Sequence, residues 1–460
     1  MDRIRRLFAP QVTYEAIQQP AESDNESENN DSASSAPQQA PFSSYEYAVF
    51  LLLGVSMLWA WNMFLAAAPY FYHRFHTDDW AATHYQPSIL TVSTVTNLGS
   101  SFILAKLQKG ASYPKRTVIS LLINIVVFTL LAFSTILMKD VSVATYFAFL
   151  MFMVFGASLA TGINQNGVYA YVAGFGREEY TQAIMSGQGV AGVLPCIVQI
   201  VSVLSVARSP GDSEQDHDQA PGPPAAGAPP QESSKSAFAY FLTATGVSCF
   251  ALLAFTSLVK RRSHLTPPNS HNHEQEDDDP ATPSKTISLW TLFKKLRFTA
   301  LAMILCFTIT MTFPVFTAEI ESVNRGSGSR LFDAPVFIPL AFFFWNAGDL
   351  LGRMLVLWPP LSLVHRPGAL LVFACARAAF IPLYQLCNIR GRGAVVQSDF
   401  FYLVVVQLLF GVSNGYLGSN CMMGAGLVAA DEREPAGAFM GLMLVAGLTL
   451  GSLLSFLAAG

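Results

Sequence analysis

Charge is what this 460-residue chain has least of: Asp, Glu, Lys and Arg make up 13% of it, against 52% hydrophobic residues. Together with a mean hydropathy of +0.39, that shortage excludes a soluble globule, whose surface needs roughly 25% charged residues. Much of the acid sits in low-complexity runs, Glu22 to Asp31 and Glu274 to Asp279, so the net charge of −4 identifies no partner, and no nucleic acid is expected. Cysteine is also scarce. The six (Cys196, Cys249, Cys306, Cys375, Cys387 and Cys421) show no CxxC spacing and no neighbouring His cluster, which argues against a disulfide framework and a zinc site. A GxxxxGK[ST] loop and a Ser/His/Asp arrangement are missing too, so neither an ATP-driven pump nor an enzyme is expected, and no cofactor. The first forty residues lack an apolar core, so no cleavable signal peptide is expected and the first span must serve as the signal.

What is present is long apolar sequence. Stretches able to cross about 30 Å of hydrocarbon occur at Tyr47–Tyr72, Pro87–Leu107, Val118–Met138, Val143–Val172, Tyr180–Val206, Ala237–Val259, Phe298–Ile320, Pro335–Trp358, Gly368–Cys387, Phe400–Val428 and Ala436–Ala458. The chain is therefore expected to be an all-α polytopic membrane protein with 11 transmembrane helices. An odd number puts the termini on opposite sides. With the N-terminus in the cytoplasm, the inner segments hold 17 Lys and Arg and the outer segments 8, which supports that orientation and an extracellular or luminal C-terminus.

Polar segments divide the chain. Residues 1–45 read as a disordered cytoplasmic tail, 46–260 as an N-terminal bundle with a disordered non-cytoplasmic loop at 209–236, 261–296 as a cytoplasmic linker and 297–460 as a C-terminal bundle. Lys260-Arg261-Arg262 reads as a positive-inside anchor beside membrane lipid. Sequons at Asn25 and Asn30 fall in the cytoplasmic tail and should stay unmodified, and Tyr14-Glu15-Ala16-Ile17 has the form of a tyrosine-based sorting signal.

Against that apolar background the polar residues stand out. Trp345-Asn346-Ala347-Gly348-Asp349-Leu350-Leu351-Gly352-Arg353 places Asn346, Asp349 and Arg353 within an arc of roughly 60° on one helix face. Asp349 and Arg353 form an i, i+4 pair in the favourable acid-first order, and intramembrane ionisable residues mark function by default. The alternative is a structural ion pair that staples two helices. Trp59-Ala60-Trp61-Asn62 interrupts the first span, and a flat indole beside an amide can stack on a planar solute or simply pack. Asn164, Gln165 and Asn166 are three successive amides that point in different directions, so helix partners and cavity both have claims on them. Gln188 and Asn414 are further cavity candidates, set among glycines whose four-residue spacing reads as close helix packing. Arg377 needs a partner, with Asp349, Glu319 and Glu321 available, and Pro195, Pro314 and Pro382 fall inside spans, where they kink helices. Transport through a central cavity accounts for this pattern more economically than catalysis.

Several segments together resemble the equilibrative nucleoside transporter family. They are Trp61-Asn62-x-Phe64, Ile184-Met185-Ser186-Gly187-Gln188-Gly189, Asn346-x-x-Asp349-x-x-Gly352-Arg353, Phe380-Ile381-Pro382-Leu383 with Leu386-Cys387-Asn388, Ser413-Asn414-Gly415-Tyr416-Leu417, Ala436-Gly437-Ala438-x-Met440 and Ser455-Phe456-Leu457. They run in order from the first span to the last. The resemblance implies a major-facilitator-like 6+5 two-bundle arrangement that moves nucleosides, with nucleobases as a further class, by facilitative alternating access. It implies that Trp61 contacts the base, that Asp349 and Arg353 bind ribose hydroxyls and hold the helix, and that Asn346 matches the family's asparagine one turn earlier. Counting back from Ile184, the family's base-binding glutamine falls on Asn166, one methylene shorter, and a methionine common after the tryptophan is Leu65 here. Ala60 likewise replaces a proline. The tail and linkers suit a eukaryotic member such as a fungal one, in a plasma or a vacuolar or lysosomal membrane. A different small polar solute (sugar, amine or drug) and proton-coupled nucleoside uptake are the alternatives.

Overall fold

A computed structural model describes residues 41–205, 230–265, 286–325 and 329–459. Asn25, Asn30, Tyr14–Ile17, nearly all of the tail, most of the 209–236 loop and most of the 261–296 linker lie outside the described residues.

Among the described residues eleven helices are long and apolar enough to cross a membrane: α1 Ser44–Phe75, α2 Asp79–Lys106, α3 Tyr113–Leu137, α4 Val143–Gly174, α5 Glu178–Val201, α6 Ser234–His264, α7 Leu289–Glu319, α8 Ala334–Leu355, α9 Pro367–Gln385, α10 Phe401–Leu427 and α11 Ala430–Ser455. Each coincides with an apolar stretch of the sequence. Several run beyond their stretch, because the hydrogen-bond ladder continues into amphipathic ends that hydropathy alone reads as loop. α7, for example, begins at Leu289 rather than Phe298 and carries Lys294, Lys295 and Arg297 on that extension, with a non-helical Leu296 as its kink.

Starts are set by side-chain caps. Ser43, Asp78, Ser142 and Ser288 each accept a hydrogen bond from a first-turn amide of the helix that follows. Interior breaks have a cause as well. In α9 a 3₁₀ turn at Arg377–Ala379 separates two α-helical pieces, and the missing N–H of Pro382 frees the carbonyl of Ala378 within it.

The helices form two bundles, α1 to α6 and α7 to α11. α3 packs on α4 and α6, α1 on α5 and α6, α8 on α10, and α7 on α9 and α11, while α4 with α11 and α5 with α8 join the bundles. Glycine decides how closely they join. A Cβ on Gly411 or Gly415 would lie 2.0 Å from the Trp345 carbonyl oxygen or 1.9 Å from that of Asp349, and one on Gly348 or Gly352 would lie 2.2 or 2.1 Å from the carbonyl oxygens of Leu408 or Val412. α8 and α10 therefore touch backbone to backbone along a four-glycine seam.

The bundles are clamped together at the face where α1 begins. There His365 Nε2, ahead of α9, approaches Glu178 Oε1 of α5 at 3.9 Å, and the side chains of Arg433 and Glu434 on α11 press on Gly176 and Gly174, while Lys295 Nζ of α7 meets Glu432 Oε1 of α11 at 2.5 Å within the second bundle.

Candidate functional site

The site is built on α5. Its Gly187 lies against the backbone of Leu51 and Val55, and Gly54 of α1 against Ile184, so α1 and α5 form one close-packed pair. The other side of α5 faces α8, where Gly189 abuts Leu350 and Arg353, and Gly192 abuts Asn346. A single helix thus registers residues from both bundles. Asn62 Nδ2 of α1 donates to the Ala191 carbonyl at 2.8 Å, while Asn346 Nδ2 of α8 donates to Phe342 O at 2.8 Å and reaches Cys196 Sγ at 3.6 Å.

Asp349 and Arg353 are 8% and 5% exposed, and Arg353 Nε donates to Asp349 Oδ2 at 2.6 Å. The pair extends both ways. Arg353 Nη1 donates to the Met185 carbonyl at 2.7 Å and to Gln188 Oε1 at 3.2 Å, and Gln188 Nε2 donates to Tyr169 OH at 2.7 Å. On the far side Asn414 Nδ2 donates to Asp349 Oδ1 at 2.6 Å, and Asn414 Oδ1 accepts from Thr310 at 2.6 Å. A continuous polar relay runs from α4 and α5 through α8 to α10 and α7. Satisfying a buried charge pair this completely is what makes it tolerable away from water.

Arg377 joins the same relay, but through neutral groups. It is buried, and donates to Ser413 Oγ at 3.0 Å, Cys306 O at 2.8 Å and Thr310 Oγ1 at 3.2 Å, with its guanidinium over the Phe410 ring at 4.6 Å. The two glutamates offered as its partners are engaged elsewhere, Glu319 with Arg390 at 2.5 Å and Glu321 with Arg325 at 2.8 Å. One carboxylate, Asp349, therefore serves two guanidiniums, one directly and one through Asn414 and Thr310.

Asn346, Asp349, Arg353, Gln188 and Asn414 are thus brought together on α5, α8 and α10. Trp61 is half-buried and stacks on Phe64 with centroids 6.2 Å apart, and Leu65, one turn further, is 55% exposed. Asn166 stands apart. Its Oδ1 accepts from Arg116 Nη1 at 2.5 Å, and the same guanidinium donates to the carbonyls of Leu104 and Leu107 at the end of α2. Successive amides on a helix point about 100° apart, and this one is turned into the α2–α3–α4 packing. The α4 residues that line a cavity with Trp61 are Val154, Ala157, Ser158 and Thr161, about one to three turns away. Cys306, Thr310 and Tyr169 were not legible as partners, since single polar residues in apolar spans carry no pattern.

Two helical bundles joined across a buried charge pair define a membrane transporter of the major-facilitator arrangement. A fucose transporter of that superfamily, solved in its outward conformation, superposes with a TM-score of 0.56 at 12% identity over 91% of this chain and 93% of its own. The human organic anion transporter MFSD10 does so with 0.53 at 14% identity, over 90% and 93%. The family model for the nucleoside transporter matches residues 150–459, and the chain belongs to that family. The nucleoside transporter FUN26 of Saccharomyces cerevisiae is 29% identical over 94% of this chain and 88% of its own length. Human equilibrative nucleoside transporter 2 is 27% identical over 91% and 98%.

Proposed function

We propose that this protein carries nucleosides, with nucleobases as a further class, down their gradients by alternating access, with Asp349 and Arg353 binding the ribose and Trp61 the base. The observation that carries this reading is the Asp349–Arg353 pair, seated across the bundle boundary on Met185 and Gln188. A ribose diol offers two donors and several lone pairs, which a carboxylate and a guanidinium satisfy together. Because the pair belongs to one bundle and two of its supports, Met185 and Gln188, belong to the other, rocking of the bundles remakes the site on each transit. Asn346 and Leu65 line the approach, Gln188 and Asn414 hold the pair, and Asn166 is a strut at the clamped face. Facilitative movement is favoured over proton coupling because both Asp349 oxygens are already hydrogen-bonded.

The excess of Lys and Arg on the segments at the clamped face supports a cytoplasmic N-terminus, with the clamp on the cytoplasmic side. A plasma or a vacuolar or lysosomal membrane suits the chain. The test is uptake of radiolabelled uridine and adenosine into liposomes carrying the purified protein, with and without a pH gradient. Saturable uptake without a gradient is expected. Uptake that requires the gradient would make it proton-coupled, and no uptake in either condition would return a different solute to first place.

A further inference from the structure

Beside Trp61, inside the first bundle, lies a small cavity whose lining includes Phe64 of α1, Asn124 and Phe128 of α3, and Ser158 and Thr161 of α4. Its walls are mostly apolar and aromatic, yet Asn124 is 3% exposed and its Oδ1 is buried without a partner. Among the described residues no hydrogen bond of any kind reaches the Asn124 side chain, and the Ser158 hydroxyl, on a residue 4% exposed, is likewise unengaged. Thr161 differs, since its hydroxyl is spent on the Ala157 carbonyl at 2.9 Å. An unpaired carboxamide in such a place costs the fold stability unless something arrives to pair with it.

We propose that Asn124, assisted by Ser158, is the group that reads the edge of the nucleobase, with the ring itself held at Trp61. The inference rests on the nucleoside reading above. A carboxamide presents one acceptor and one donor side by side, the pattern that matches the adjacent donor and acceptor on the edge of a nucleobase. Turning the amide over exchanges the two positions. One side chain then serves amino-bearing bases such as adenine and cytosine and oxo-bearing bases such as uracil, so the site accepts purine and pyrimidine nucleosides alike. The α4 amide that sequence counting assigned to the base, Asn166, is occupied by Arg116, which leaves Asn124 as the unengaged amide next to the tryptophan.

The test uses the full-length protein in liposomes, with Asn124→Leu as a near-isosteric apolar replacement. KM for both uridine and adenosine should rise about 10-fold or more, the value of roughly one to two lost hydrogen bonds. The ratio of KM for uridine to that for 2′-deoxyuridine should stay unchanged, because the sugar contacts are elsewhere. The thermal midpoint of the variant should equal or exceed that of the wild type, since an unsatisfied polar group has been removed. An unchanged KM would overturn the assignment, and so would a raised KM accompanied by a lowered midpoint, which marks a structural role. If Asn124→Leu does not reach the membrane, Ser158→Ala is read on the same scale, with a several-fold rise in KM expected and no change overturning the proposal. Wild-type protein that takes up no nucleoside would remove the underlying nucleoside reading itself, a result the variants cannot imitate.

Discussion

Replacing Asp349 with asparagine keeps the shape of the side chain and removes its charge. The carboxylate now accepts from Arg353 Nε through one oxygen and from Asn414 Nδ2 through the other, both at 2.6 Å. An amide has one oxygen. If that oxygen stays on Arg353, its nitrogen faces the nitrogen of Asn414, donor against donor. Turning Asn414 over in response offers its nitrogen to Thr310, whose hydroxyl now donates to Asn414 Oδ1 at 2.6 Å. The Thr310 hydroxyl can accept that nitrogen by turning its proton to the Cys306 carbonyl, 2.8 Å away, so the hydrogen bonds can be remade, but Arg353 and Arg377 are left with no anion between them. Orphaning one member of a buried ion pair costs about 3–5 kcal/mol, and about 3 kcal/mol is already more than a 100-fold change in an equilibrium. Uptake by Asp349→Asn should accordingly fall by about 100-fold or more, with a lowered thermal midpoint in detergent. Replacing the whole pair, Asp349→Leu with Arg353→Met, should recover part of the stability because Arg353 is no longer orphaned and only Arg377 remains without its anion, yet recover no uptake because the ribose has lost both ligands. Near-wild-type uptake by Asp349→Asn at an unchanged midpoint would refute the reasoning, since the pair would then be neither a ligand nor a support.

Other perturbations separate the parts of the site. Gly415→Ala puts a methyl 1.9 Å from the Asp349 carbonyl oxygen, so α10 must leave α8 and Asn414 must leave Asp349; strongly reduced uptake and a lowered thermal midpoint are expected, and tolerance of alanine would mean the seam is loose. Arg377→Lys should fail to restore function, because an ammonium cannot reproduce the planar fork that reaches Ser413, Cys306 and Thr310 together; wild-type uptake in that variant would remove Arg377 from the relay. Asn166→Ala should leave the order of preference among bases unchanged, as competition between unlabelled nucleosides would report, whereas a reordered preference would return Asn166 to the base site.

The number of spans, and the face shared by Asn346, Asp349 and Arg353, were legible in the sequence because each depends on local periodicity and on the cost of polar groups in hydrocarbon. The glycine runs likewise announced close packing through their spacing alone. What the sequence left open was decided by which helix lies against which. Asn164, Gln165 and Asn166 differ by rotation about one axis, and the placement of Arg116 on α3 is what draws Asn166 away from Trp61. Arg377 had three acids within reach on paper. In the folded protein two of them are taken by Arg390 and Arg325, and the third is reached through Asn414 and Thr310. Asn124 showed nothing in sequence, one amide in an apolar span, and became a candidate once α1, α3 and α4 enclosed it unpaired. Local pattern determines which residues are costly to bury. The packing of helices far apart in the chain determines which of those costs are met by a protein partner, and which are left for a solute.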